Sequence, residues 1–169
     1  MSQPNIILTG FMGTGKSTIG RLLAKKIGYQ FIDTDTLIEQ QTGKTITELF
    51  ATQGENTFRQ LETELVKELA KKSGQVIATG GGLVLNPDNV KKLNRTGQIF
   101  CLTATANEIL QRVKQQGNTR PLLQEKDPLQ KITTLLQQRD PVYRQFPQVS
   151  TTDTAPELLV EKILDLIHK

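Results

Sequence analysis

The chain has 169 residues, of which 36% are hydrophobic and 22% charged, with a net charge of +4. That size fits one domain around one substantial core. No apolar run approaches the ~18–20 residues of a membrane span, and no dense basic block or tryptophan offers nucleic acid a binding face, so neither a membrane nor a nucleic acid is an expected partner.

A short apolar run, Ile6-Ile7-Leu8, reads as a buried strand over 5–9. Ile19, Leu22, Leu23 and Ile27 then recur at helical spacing from Lys16 onward, and Gly28 ends the run. Phe31-Ile32 is a second strand, followed by Asp33-Thr34-Asp35. Thr36 with Glu39 predicts a capping box for a helix to about residue 41, and Thr45 with Glu48 repeats that signature. A longer helix is expected over about 56–72, with Phe58, Leu61, Leu65 and Leu69 on one face. A third strand over 75–79 runs into Gly80-Gly81-Gly82, and a helix is expected over 87–93.

The fourth strand, 99–102, holds the single cysteine, Cys101, as a buried structural thiol. That usage suits a reducing cytoplasm, and the N-terminus shows no targeting pattern. A helix over 107–115 precedes a polar, Gly- and Pro-punctuated loop over 117–126, the best candidate for a mobile lid. Asp127-Pro128 opens another helix, to about residue 140, with proline at its first turn. A weak strand over 149–151 and a terminal helix from Pro156 complete the chain. Strands alternate with helices, which predicts a three-layer α/β domain on a mostly parallel sheet. No long exposed apolar stripe shows, which favours a monomer.

The segment Gly10-Phe11-Met12-Gly13-Thr14-Gly15-Lys16-Ser17 has the spacing of a phosphate-binding loop, and it lies between a strand and a helix. Its glycines allow positive φ and close approach of backbone N–H groups to an anion. The helix that follows adds its N-terminal dipole. Lys16 supplies a cation for the outer phosphates, and Ser17 a hydroxyl for Mg²⁺. This establishes a nucleotide-binding expectation without naming the reaction.

Asp33 and Asp35 follow a strand, where ligands bind in open α/β sheets. Two residues apart in extended chain, they would share one side. One then suits water-mediated support of Mg²⁺, the other proton acceptance from an alcohol. Plain helix capping explains them equally well. The three glycines 80–82 read either as a close approach to ligand or as a flexible turn. Arg139 continues the apolar stripe of Ile132, Leu135 and Leu136, so its charge needs a partner there, an anionic ligand or helix carbonyls. Arg59 has Glu62 within reach, and a surface ion pair is the simpler reading. Arg120, within the lid-like loop, suits a charge clamp or an exposed loop position. Arg112 suits stacking on an adenine ring or simple solvation.

In order along the chain, residues 10–21 (GFMGTGKSTIGR), 31–35 (FIDTD), 54–59 (GENTFR), 78–82 (ATGGG), 119–123 (TRPLL) and 139–143 (RDPVY) resemble the shikimate kinase family of P-loop enzymes. The resemblance covers nearly the whole chain, 1–169, as one domain. It implies a five-stranded parallel sheet of order 2-3-1-4-5, with a lid over about 112–125 and a substrate-binding region over about 33–62. It implies transfer of the ATP γ-phosphate to the 3-hydroxyl of shikimate, toward chorismate and the aromatic amino acids. By position, Gly13, Thr14, Gly15, Lys16, Ser17 and Thr18 would wrap the phosphates, with Ser17 and Asp33 serving Mg²⁺. Asp35 would bind the ring hydroxyls and act as base, alongside Lys16 and Arg120 in catalysis. Arg59 and Arg139 would grip the carboxylate, with Gly80, Gly81 and Gly82 against the substrate. Arg112 and Arg120 would serve the nucleotide. The stretch 152–156, with Thr154-Ala155, offers no arginine to the adenine side.

Overall fold

The computed structural model describes residues 3–117 and 121–168. Five parallel strands form one sheet of order β2-β3-β1-β4-β5: β1 (Asn5–Thr9), β2 (Gln30–Asp33), β3 (Gln75–Ala78), β4 (Gly97–Thr103) and β5 (Gln148–Ser150). Registers such as Ile7 opposite Ile77 and Ile7 opposite Ile99 put β1 at the centre. The period-2 pleat sorts the apolar residues onto two faces. Ile7, Ile77, Ile99 and Cys101 pack into one cluster, while Ile6, Leu8, Val76, Phe100 and Leu102 pack into the other. Both faces are therefore buried, as parallel sheets require.

Two helices cover the second face: α1 (Lys16–Ile27), with Ile19 and Leu23, and the terminal helix (Pro156–Ile167), with Leu159 and Ile163. The first face carries α2 (Thr34–Thr42), α3 (Ile46–Leu69), α4 (Pro87–Asn94), α5 (Ala106–Gln115) and α6 (Pro128–Tyr143), which leaves the terminal helix as α7. The predicted three-layer α/β fold and its strand order are what the structure has. Among the described residues, no helix is long and apolar enough to cross a membrane.

Local departures from the sequence expectations have physical causes. The helix after β2 starts at Thr34, capped by Asp33, whose Oδ1 accepts from the Thr36 N–H at 3.1 Å. The expected Thr36–Glu39 box does not form. Glu39 Oε2 instead accepts from the Ile46 N–H at 3.0 Å and ties α2 to the start of α3. The Thr45–Glu48 box is present in full, and it opens α3 ten residues before the expected start at 56. Helical geometry breaks once, at Gly54, with φ 83° and ψ 168°, a backbone state open to glycine. The helix ends at Leu69 rather than 72. Within the expected loop 117–126, a short 3₁₀ turn spans Pro121–Gln124.

Close strand packing also predicts a stability effect. A Cβ built on Gly97, at the start of β4, lies 2.3 Å from the Asn5 carbonyl oxygen on β1. Backbone in a central strand cannot step aside. Gly97→Ala is therefore expected to destabilise the fold by about 1–3 kcal/mol, the usual range for overpacking. A lower denaturant midpoint checks this, and an unchanged one refutes it.

Candidate active site

The cleft opens at the carboxyl ends of β1, β2 and β3, beside the central strand where the chain order changes direction. Its volume is about 830 Å³. The phosphate loop forms one wall. Gly10, Gly13 and Gly15 have φ of 136°, 75° and 93°, conformations that bulkier residues resist. Thr14 turns inward and donates to the Phe11 carbonyl at 2.7 Å. Lys16 Nζ lies across the loop, donating to the Gly10 and Phe11 carbonyls at 2.7 and 2.8 Å. Ser17 Oγ donates to Asp33 Oδ2 at 2.6 Å. Asp33 thus both caps α2 with one oxygen and meets the loop serine with the other.

Asp35 lies in the first turn of α2, not in extended chain as the spacing suggested. It still lines the cleft with Asp33, because the strand end and the first helical turn face the same opening. Burial raises its pKa above the usual carboxyl value, and the nearby Asp33 charge adds to the rise while Lys16 opposes it. Its Oδ1 is buried with no hydrogen-bond partner among the described residues.

The opposite wall comes from α3 and α6. Arg59 is no surface pair: Nη1 donates to Glu62 Oε1 at 2.6 Å, and the Glu62 side chain is 1% exposed. Burial acts against the Arg59 charge, but bonding to Glu62 outweighs it and holds the group cationic. Burial pushes the Glu62 carboxyl above its usual range, with Arg59 drawing it back. Glu62 Oε2, like Asp35 Oδ1, is a buried oxygen with no partner among the described residues. The two oxygens border the same glycine, since a Cβ on Gly80 would lie 2.7 Å from Asp35 Oδ1 and 3.2 Å from Glu62 Oε2.

Arg139 takes the unusual position its stripe predicted. Its Cζ lies 5.3 Å from the Phe11 ring centroid, and the side chain lines the cleft. An aromatic face accommodates a guanidinium where other apolar surface would not. No room remains for side chains at the three glycines. A Cβ on Gly81 would lie 2.9 Å from Arg139 Nη1, and one on Gly82 would lie 2.5 Å from Arg59 Nη2. The space beside the glycines is taken by the protein's own Asp35, Arg59 and Arg139 side chains. Gly80 N–H donates to Thr34 Oγ1 at 3.0 Å, and the Gly81 carbonyl accepts from the Tyr143 hydroxyl at 2.6 Å.

A second recess of about 380 Å³ flanks the phosphate loop, lined in part by Thr18, Arg112, Thr154 and Pro156. Arg112 donates to the Gly13 carbonyl at 3.1 Å and to Thr151 Oγ1 at 3.0 Å, and it pairs with Glu108. It therefore braces the loop against the segment after β5 while its side chain, 31% exposed, still lines the recess. Arg120 lies outside the described residues.

The structure brings Lys16, Ser17, Asp33, Asp35, Arg59, the three glycines and Arg139 into one cleft. Sequence reasoning assigned no site role to Phe11, Thr34 or Tyr143, and to Glu62 only the orienting of Arg59. Tyr143, four residues after Arg139 on one helix, carried a positional signal. Thr34 carried one only as the residue between the two cleft carboxylates, Asp33 and Asp35.

A model of the family described as shikimate kinase matches residues 12–168. The shikimate kinase of Thermodesulfovibrio yellowstonii is 48% identical over 161 residues, 95% of this chain and 92% of that protein. The structure of the Acinetobacter baumannii shikimate kinase in complex with shikimate superposes with a TM-score of 0.91 at 42% identity, covering 98% of this chain and 93% of that one. A gluconokinase from Sinorhizobium meliloti shares the fold alone, with a TM-score of 0.57 at 17% identity, covering 98% of this chain and 95% of that one. With sequence likeness running through both walls of the cleft, and not only the phosphate loop, this chain belongs to the shikimate kinase family.

Proposed function

We propose that this chain transfers the γ-phosphoryl group of ATP to the 3-hydroxyl of shikimate, giving shikimate 3-phosphate for chorismate and aromatic amino acid synthesis. One observation carries the reading: a phosphate loop shares a single cleft with two guanidinium groups and a buried carboxylate with an unpartnered oxygen. That set suits an acceptor with both hydroxyls and a carboxylate.

In this reading the backbone of residues 13–18 and Lys16 hold the ATP phosphates. Arg59 and Arg139 bind the acceptor carboxylate by charge-assisted bonds, and the Gly80–Gly82 turn lies against the ring. Asp35 orients the hydroxyls and takes the proton of the attacking one. The acceptor oxygen bonds to the γ-phosphorus as the bond to the β–γ bridging oxygen breaks, so ADP leaves. Positioning and charge neutralisation lower the barrier. Ser17 Oγ and Asp33 Oδ2, hard oxygen donors 2.6 Å apart, fit Mg²⁺, with Asp33 acting through water. Bound there, the ion would neutralise charge on the phosphates. Residues 112–125 serve as the lid, residues 33–62 bind the acceptor, and Arg120 closes over the phosphates. Arg112 holds the nucleotide side in shape. The enzyme works as a cytoplasmic monomer.

Coupled detection of ADP release with shikimate, gluconate and AMP side by side tests the assignment. Shikimate alone is expected to support turnover. Turnover with gluconate or AMP and none with shikimate would defeat it.

A further inference from the structure

Behind the cleft stands a phenol that the proposed mechanism does not use. Tyr143 is 5% exposed and takes no part in the cleft wall, whereas its two polar neighbours, Gly81 and Arg139, do. Its hydroxyl donates to the Gly81 carbonyl at 2.6 Å and accepts from Arg139 Nη1 at 3.5 Å. The first bond is short and strong, and the second is a longer contact that guides rather than anchors. Burial raises the phenol pKa, so the group remains a donor. Phenylalanine would fill the same space, and the hydroxyl is what joins a glycine turn to a helix 62 residues further along the chain.

Gly81 and Arg139 are already packed without slack. A Cβ at Gly81 would meet Arg139 Nη1 at 2.9 Å and Tyr143 Oη at 3.4 Å. Any shift of the turn therefore displaces the guanidinium. Arg139 is bracketed by the Phe11 ring on one side and the phenol oxygen on another. The ring attracts the cation but sets no direction within its plane. The phenol oxygen supplies that direction.

We propose that Tyr143 is a positioning residue for the acceptor carboxylate, holding the Gly81 turn and the Arg139 guanidinium in one register. This rests on the acceptor reading given above. Its effect falls on acceptor binding more than on nucleotide binding, because among the described residues its hydroxyl bonds to Gly81 and Arg139 and to no donor or acceptor of the phosphate loop.

Tyr143→Phe is expected to raise the shikimate KM about 5- to 10-fold, the loss of one net hydrogen bond of ~1–1.4 kcal/mol. The ATP KM is expected to stay within about twofold, and kcat likewise, as for a loss of uniform binding. A purely structural tyrosine would lower the melting temperature and leave that split absent. The chain has two tyrosines and no tryptophan. In a Tyr29→Phe background, shikimate is therefore expected to perturb the ultraviolet difference band of Tyr143 alone. This arm decides the matter if Tyr143→Phe folds poorly. An unchanged shikimate KM, an equal change in the ATP KM, or a silent Tyr143 band overturns the proposal. Arg139→Ala, run in parallel, separates the failures. If it too leaves shikimate kinetics unchanged, the acceptor reading itself falls, and this inference with it.

Discussion

Asp35→Asn is expected to lower kcat by about 10²–10⁴-fold, the usual contribution of a general base. The amide keeps the size of the carboxyl and its place in the first turn of α2, but it cannot take the hydroxyl proton. The same substitution is expected to raise the melting temperature. Asp35 Oδ1 is buried without a partner among the described residues, and the carboxyl is harder to ionise in the folded chain than in the unfolded one. Its ionisation at neutral pH therefore opposes folding. The gain from asparagine is largest above the raised pKa of the folded chain, shrinks as pH falls through it toward the ordinary carboxyl value, and is gone below that value, where the carboxyl is uncharged in both states. Steady-state kinetics and thermal melts without added ligand check both halves. Near-full activity in the variant would remove Asp35 as the base. A lower melting temperature at neutral pH would mean the buried charge is compensated after all.

Arg139→Ala is expected to lower kcat/KM for shikimate by roughly 30- to 150-fold, equivalent to about 2–3 kcal/mol for a lost charge-assisted pair. ATP binding, read by nucleotide titration without shikimate, is expected to change little. The asymmetry follows from geometry. Arg139 comes from α6, on the cleft wall opposite the phosphate loop, and its guanidinium lies over the Phe11 ring. The variant also tests Arg59 indirectly. With Glu62 already bound to Arg59, removing Arg139 leaves Arg59 alone among the described cleft guanidiniums to balance an incoming carboxylate. Equal losses for shikimate and ATP would show that Arg139 supports the loop rather than the acceptor.

These expectations turn on an arrangement that costs stability. Two carboxylate oxygens, on Asp35 and Glu62, are buried without partners beside one glycine, and both groups have raised pKa values. A cleft built only for stability would pair or expose them. Preorganised polar groups of this kind are useful when a polar ligand completes their bonding.

Much of the fold was legible in the sequence, because the signals were local. Buried parallel strands are short apolar runs, and amphipathic helices repeat at 3.6 residues. The phosphate loop was legible for the same reason. Its glycines, Lys16 and Ser17 are contiguous, and their backbone geometry follows from their residue types. Even the odd charge of Arg139 could be seen, since helical spacing alone put it on an apolar stripe. The helix starts at α2 and α3 were less clear, because Asp33 and Thr36 compete to cap within three residues and only the tertiary setting decides. Gly54 falls just before the expected helix start at 56, so the segments on either side of the kink read as two helices rather than one bent helix.

What the tertiary structure alone decided was the state of each charge. Arg59 and Glu62 three residues apart look like a solvated helix pair, and only the walls around them bury Glu62 and aim Arg59 at the glycine turn. The partners of Gly80 and Gly81, Thr34 and Tyr143, lie 46 and 62 residues away, and no local pattern joins them. The sequence by itself determined the nucleotide loop, the layer order and the chemical types available to the acceptor. Folding decided which of those groups lost water and which kept an unfilled bond, because burial and long-range hydrogen bonding are properties of the packed chain and not of any segment of it.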